Sequence, residues 1–139
     1  IWPFRLPALG LIAKIAGYLN IREMPHAEFA AKTAKLIAQG VSIVAIPEGT
    51  RSLDKSIGQF HSAIFRLALQ TRATIVPVCI TGNEFVPPIG SAFLQPSTIR
   101  IHRLAALTWE EYKNLNAFKL KNYCREIIAQ EVLIMDKLK

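Results

Sequence analysis

The stretch Val41-Ser42-Ile43-Val44-Ala45-Ile46-Pro47-Glu48-Gly49-Thr50-Arg51-Ser52 carries two signals end to end. Its first half, Val41 to Ile46, is short, β-branched and nearly all apolar. That is the pattern of a strand buried on both faces. Pro47 ends the strand, and the residues after it bring a carboxylate, a glycine, two hydroxyls and a guanidinium into one turn. In open α/β sheets, ligands gather at the carboxyl ends of strands. Gly49 allows the backbone to approach a ligand closely. Thr50 and Ser52 offer hydroxyl donors to anionic oxygens, and Arg51 offers a planar fork that matches a phosphate bidentately. Glu48 either holds the turn or orients Arg51. A plainer reading is a polar turn that closes a strand with Arg51 in solvent, and the pattern alone leaves both readings open.

Working outward, the elements alternate. After Pro25, the run His26 to Gln39 predicts a helix with Phe29, Thr33 and Leu36 on one face and Gly40 as its stop. A second helix is expected from His61 to Gln70, with Ile64, Leu67 and Ala68 on one side. Thr74 to Ile80 reads as a second buried strand whose Pro77 marks an edge, a bulge or a strand end. Strands alternating with helices imply a parallel arrangement with right-handed crossovers. Thr98 to Leu104 predicts a third strand. Thr108 followed by Glu111 is a capping-box signature. It opens a helical region to the C-terminus, with Leu120, Tyr123, Ile127, Ile134 and Leu138 at helical spacing. The expected fold class is therefore α/β, a largely parallel sheet flanked by helices, with a helical C-terminus and no linker or repeat within residues 1–139.

Composition bounds the chemistry. The chain has 139 residues, 51% of them apolar and 19% charged, which suits one domain with a real core. Lys and Arg number 17 against 10 Asp and Glu, for a formal net charge of +7. That balance attracts anions in general, whether nucleic acid, an anionic membrane surface or a phosphorylated small molecule. Cys79 and Cys124 form no Cys-x-x-Cys or Cys/His cluster, so no metal site is expected, and both read as buried, reduced thiols in a cytoplasmic setting. Ile1 to Ile21 is apolar but interrupted by Pro3, Arg5, Pro7 and Lys14. It is neither a signal peptide nor a spanning helix. It reads either as a core-packed helix or as an interfacial segment with Trp2 and Phe4 toward lipid.

Ile46 to Ser52 closely resembles the Phe-Pro-Glu-Gly-Thr-Arg-Ser block of the lysophospholipid acyltransferases, whose type members acylate 1-acylglycerol-3-phosphate. Pro47 to Ser52 match without a break, and Ile46 stands for the usual Phe. Ile21 and Arg22 are similar to the family's Ile-x-Arg element, Val76-Pro77-Val78 to its later Val-Pro-Val element, and Gly10 to Gly17 to the segment before Ile-x-Arg. The resemblance runs from about Trp2 to Ile80 and implies a glycerolipid-acyltransferase-like fold. It implies that Glu48, Gly49, Thr50 and Arg51, supported by Ser52, bind the phosphate of the acyl acceptor, and that Arg22 helps. The co-substrate would be acyl-CoA or an acyl carrier protein, with no metal or other cofactor. The expected partners are a lysophospholipid acceptor, the acyl donor and an anionic membrane surface, at the cytoplasmic face of a membrane.

Two departures matter. The family's Phe-Lys-x-Gly element corresponds here to Phe60-His61-Ser62-Ala63, so a permanently charged Lys gives way to the titratable His61. The family's catalytic dyad is a His followed five positions later by an Asp. His26, His61 and His102 are followed at that distance by Ala31, Arg66 and Leu107, and the only aspartates are Asp54 and Asp136. No dyad can be built. The resemblance implies that it lies upstream of Ile1 and that these residues are the C-terminal portion of a longer acyltransferase, inactive alone. The alternative function is a non-catalytic basic α/β module for nucleic acid or anionic membrane. Against nucleic acid, the basic residues are dispersed, with no aromatic-basic interleaving for stacking.

Overall fold

A computed structural model of the chain describes residues 11, 12, 15–19, 24–49, 56–83, 93 and 96–137. It divides into two compact units, Ile1–Ile43 and Val44–Lys139. In the first unit, helix α1 spans His26–Ala38. Pro25 occupies the position before it, where a missing N–H costs nothing. Phe29 and Thr33 are buried on one face as the spacing predicts, and Leu36 is half-buried. Thr33 satisfies its hydroxyl within the helix, donating from Oγ1 to the carbonyl of Phe29 at 2.6 Å. Gly40 follows with φ +79°, a left-handed stop that favours glycine.

Val41 to Ile46 does not form the expected buried strand. It joins no strand ladder among the described residues, and Val44 and Ile46 are 92% and 77% exposed. An apolar run becomes a central strand only where neighbours supply a ladder on both sides. No described residue does so here.

The second unit holds α2 (Ala63–Thr71), β1 (Val78–Thr81), β2 (Arg100–Arg103), α3 (Trp109–Tyr112) and α4 (Ala117–Lys137). The sheet among the described residues is two-stranded and antiparallel, with Val78 opposite Arg103 and Thr81 opposite Arg100. The expectation of a largely parallel sheet is not confirmed among the described residues. A parallel pair needs a crossover that carries the chain back to its starting end. Here Gly82 and the residues before Arg100 come together instead, with Ser97 Oγ donating to the Gly82 carbonyl at 2.8 Å. A Cβ on Gly82 would lie 2.1 Å from the Thr98 carbonyl oxygen, so only glycine fits that approach.

Pro77 acts as its missing N–H dictates. An isolated bridge pairs Ile75 with Leu107, so two residues on one strand face three, Leu104 to Ala106, on the other. The extra residue falls where Pro77 cannot donate, and the Pro77 carbonyl still accepts from Leu104 N–H at 3.0 Å. Burial also departs from the double-sided expectation. Cys79 and Thr81 point inward, while Val78 and Ile80 are 44% and 49% exposed.

Helix α4 packs against β1 and α2. Phe60, Phe65, Leu107, Tyr112, Leu120 and Cys124 form the core cluster. The capping box holds: the Thr108 N–H donates to Glu111 at 2.6 Å, which holds the Glu111 carboxyl below its ordinary range. The helix it opens lasts one turn, and Asn116 then recaps the chain by accepting from Lys119 N–H at 2.9 Å. Leu120, Cys124 and Met135 are the buried residues of α4, whereas Tyr123 and Ile134, which share the helical spacing, are exposed. Leu138 lies outside the described residues. His102 Nδ1 meets Glu131 Oε1 at 2.5 Å and ties β2 to α4. No helix among the described residues is long and apolar enough to cross a membrane.

Both cysteines are free and buried. Burial pushes the Cys79 thiol up, with the Glu131 carboxylate adding to it, and pushes the Cys124 thiol up to about 11. A thiol whose folded value is raised contributes stability below its unfolded value and loses it as the pH climbs through the folded one. Denaturant midpoints are therefore expected to fall as pH rises from 9.0 towards about 11. Cys124→Ala removes that group and should flatten this part of the profile; a slope unchanged by the substitution would assign it elsewhere.

Candidate functional site

Ile46-Pro47-Glu48-Gly49 closes a four-residue turn, with Gly49 N–H donating to the Ile46 carbonyl at 3.1 Å. Proline suits the second position of such a turn and glycine the fourth. Gly49 sits at φ +69°. Two contacts fix the turn to the chain beyond it. His61 N–H donates to the Pro47 carbonyl at 2.8 Å. The Glu48 carboxylate reaches ten residues ahead, where its Oε2 accepts the Gly58 N–H at 2.9 Å. Of the two roles open to Glu48, the structure thus displays the first, that of holding the loop.

Gly58 leaves room for this closure. A Cβ there would stand 3.2 Å from Glu48 Oε2, tight against the acceptor atom. On the other side, Arg125 of α4 donates from Nη2 to the Ile57 carbonyl at 2.7 Å and from Nε to the Gly58 carbonyl at 2.8 Å. The His61 ring lies over Gly49: its Cδ2 and Nε2 are both 3.3 Å from where a Cβ would be. The imidazole is exposed, and no described residue hydrogen-bonds to its ring nitrogens. Among the described residues no group of His, Cys, Asp and Glu could hold a metal ion.

Of the residues expected to form the site, Glu48 and Gly49 are brought together with Gly58 and His61. Arg22, Thr50, Arg51 and Ser52 lie outside the described residues. Arg125 was not anticipated. Its partners are 67 and 68 residues away in sequence, and nothing local distinguishes it from any other helical arginine.

A family model described as Acyltransferase matches residues 3–81, more than half of the chain. The chain belongs to the acyltransferase family. The loop from Pro47 to Gly58 lies inside the matched stretch, and α4 with Arg125 lies beyond it. Among curated relatives, the chain is 29% identical over 91 residues to a chloroplastic 1-acyl-sn-glycerol-3-phosphate acyltransferase of Brassica napus, covering 63% of this chain and 26% of the relative. It is 25% identical over 136 residues to the 1-acyl-sn-glycerol-3-phosphate acyltransferase of Salmonella typhimurium, covering 95% of this chain and 55% of the relative. The chain thus spans between about a quarter and just over half of the length of these relatives. Its fold is similar to the crystal structure of the 1-acyl-sn-glycerophosphate (LPA) acyltransferase PlsC from Thermotoga maritima, at TM-score 0.69 and 21% identity, over 77% of this chain and 44% of that one. Membership of the family agrees with the resemblance carried by Ile46 to Ser52, and the glycerolipid-acyltransferase-like fold is supported while the parallel sheet is not.

Proposed function

We propose that this chain forms the acceptor-binding part of an acyltransferase that transfers an acyl chain to 1-acylglycerol-3-phosphate or a similar lysophospholipid in phospholipid biosynthesis. The observation that carries the reading is the Glu48–Gly58 hydrogen bond, which ties together the two ends of the segment containing Thr50, Arg51 and Ser52. A tied loop limits the freedom that an anion would otherwise have to remove on binding. Arg51 supplies a bidentate grip on phosphate, Thr50 and Ser52 supply further donors, Gly49 lets the backbone come close to the ligand, and Arg22 adds a second cation. Glu48 holds the loop, and the His61 ring borders it at Gly49.

The chemistry completes outside these residues. A His and an Asp five positions apart, expected N-terminal to Ile1, act as general base and as its orienting partner. The acceptor hydroxyl attacks the thioester carbonyl of acyl-CoA or an acyl carrier protein, and the thiol departs. Anchoring the phosphate holds the hydroxyl near the base, and such orientation can lower a barrier by up to roughly 7–11 kcal/mol in ideal cases. No metal or other cofactor takes part. The formal charge of +7 suits an anionic membrane surface at the cytoplasmic face.

The test compares acceptors in mixed detergent micelles. The 139-residue chain is expected to bind 1-acylglycerol-3-phosphate more tightly than 1-acylglycerol of the same chain length, with a difference that shrinks as salt is raised. Equal binding of the two lipids would remove the phosphate assignment. No acyl transfer is expected from the chain alone, and turnover by it would show that the chemistry does not need an upstream dyad.

A further inference from the structure

One peptide group in the loop has a full charge at each end. The peptide joining Ile57 to Gly58 gives its N–H to the Glu48 carboxylate at 2.9 Å and its carbonyl oxygen to the Arg125 guanidinium at 2.7 Å. The next carbonyl, that of Gly58, takes the second N–H of the same guanidinium at 2.8 Å. A peptide dipole is negative at oxygen and positive at hydrogen. The cation therefore sits at the negative end and the anion at the positive end, and each bond polarises the peptide in the direction that strengthens the other. Glu48 and Arg125 form no direct salt bridge. They are an ion pair transmitted through a peptide.

The geometry points to Arg125 as a positioning residue for the acceptor-phosphate loop, acting from α4 through the 57–58 peptide on Glu48. This rests on the proposed role of that loop in binding the acceptor. Two consequences follow from charge. A carboxylate beside a phosphate site repels the ligand unless a cation compensates it, and Arg125 supplies that compensation from the far side of the peptide. The guanidinium also holds two successive carbonyls with one rigid fork, which an ammonium on a flexible stem cannot do. The C-terminal helix, outside the residues matched to the family model, thereby sets the geometry of a loop that lies within them.

The experiment is a double-substitution cycle on the 139-residue chain, with Arg125→Gln, Arg125→Lys, Glu48→Gln and the Arg125→Gln/Glu48→Gln pair. Amide exchange at Gly58 is read by NMR, and binding of 1-acylglycerol-3-phosphate and 1-acylglycerol is read in parallel. Each glutamine substitution is expected to speed Gly58 exchange about tenfold or more, as loss of a charged hydrogen-bond partner does. The pair should add little beyond either one alone, because each removes the same polarised arrangement. Arg125→Lys should recover part of the protection. Affinity for the phosphorylated lipid should fall in the order Lys, then Gln, while binding of the unphosphorylated lipid holds. Cys124→Ala, next to Arg125 on α4 but facing the core, serves as the control for loosened packing and should leave Gly58 exchange and the lipid preference close to wild type.

Additive effects on exchange, or an unchanged Gly58 amide, would overturn the transmitted pair. Faster exchange with undiminished phosphate preference would overturn the positioning role. A wild-type chain with no phosphate preference would sink the acceptor-site reading and the positioning role with it, and the exchange cycle alone would then decide whether the transmitted pair exists.

Discussion

Arg51→Ala is expected to weaken binding of the phosphorylated acceptor by about ten- to a hundredfold, the range for losing hydrogen bonds to a charged group. In the complete enzyme the loss should appear in KM for 1-acylglycerol-3-phosphate, with KM for the acyl donor little changed. The asymmetry follows from the proposal that this loop grips the phosphate of the acceptor and not the phosphates carried by the acyl donor. Arg51→Lys should fall between, since it keeps the charge and loses the fork. Gly49 and Gly58 are fixed by Ile46, Glu48 and Arg125, so Arg51→Ala should leave Gly58 amide exchange unchanged. An equal rise in KM for both substrates would remove the phosphate assignment. Faster Gly58 exchange in this variant would mean that the loss came from a disordered loop.

Tyr112→Ala should be the most damaging core substitution, at about 3–5 kcal/mol by denaturant unfolding. Tyr112 is 1% exposed and sits among Phe60, Phe65, Leu107, Leu120 and Cys124, with Trp109 edge-on at 5.4 Å. Its hydroxyl has a second task. It donates to the carbonyls of Ala73 at 2.5 Å and Ala68 at 3.2 Å, where α2 ends with Arg72 in the left-handed region at φ 55°. Helix carbonyls at such an end need donors. Tyr112→Phe keeps the ring and strips the donor, so it should cost about 1–3 kcal/mol from the unsatisfied carbonyl. A Phe variant as stable as the wild type would show that the backbone N–H of Ala73 suffices for the helix end.

These two residues divide what the sequence made legible from what it did not. Helix α1 was readable because Pro25, Gly40 and the Phe29–Thr33 spacing all state the same local fact. The Thr108–Glu111 box was readable for the same reason, since a cap spans three residues. Tyr112 as a cap for α2 was not, because its partners lie 39 and 44 residues back. Val41 to Ile46 failed in the opposite way. Its composition states what the segment could bury, and whether it is buried depends on strands that no described residue supplies. At the site, the identity of the loop was legible in Pro47 to Ser52. The loop-holding contact of Glu48 was not legible there, because its partner Gly58 lies ten residues ahead and is itself held by Arg125 on a distant helix.

The extra residue opposite Pro77 has a consequence for length variation. Leu104 to Ala106 is a short, partly exposed connection of the kind that ordinarily tolerates gain or loss of a residue. Here it carries the one residue that the facing strand does not match. Removing Ala105 while Leu107 keeps its bridge to Ile75 would leave two residues facing two, so Val78 would stay opposite Arg103 and His102 would stay opposite Cys79, against Glu131. The ladder would then be regular at position 77, where the pairing of Ile75 with Leu107 calls for an N–H that proline lacks. Among homologues, loss of the extra residue should therefore go with replacement of the proline.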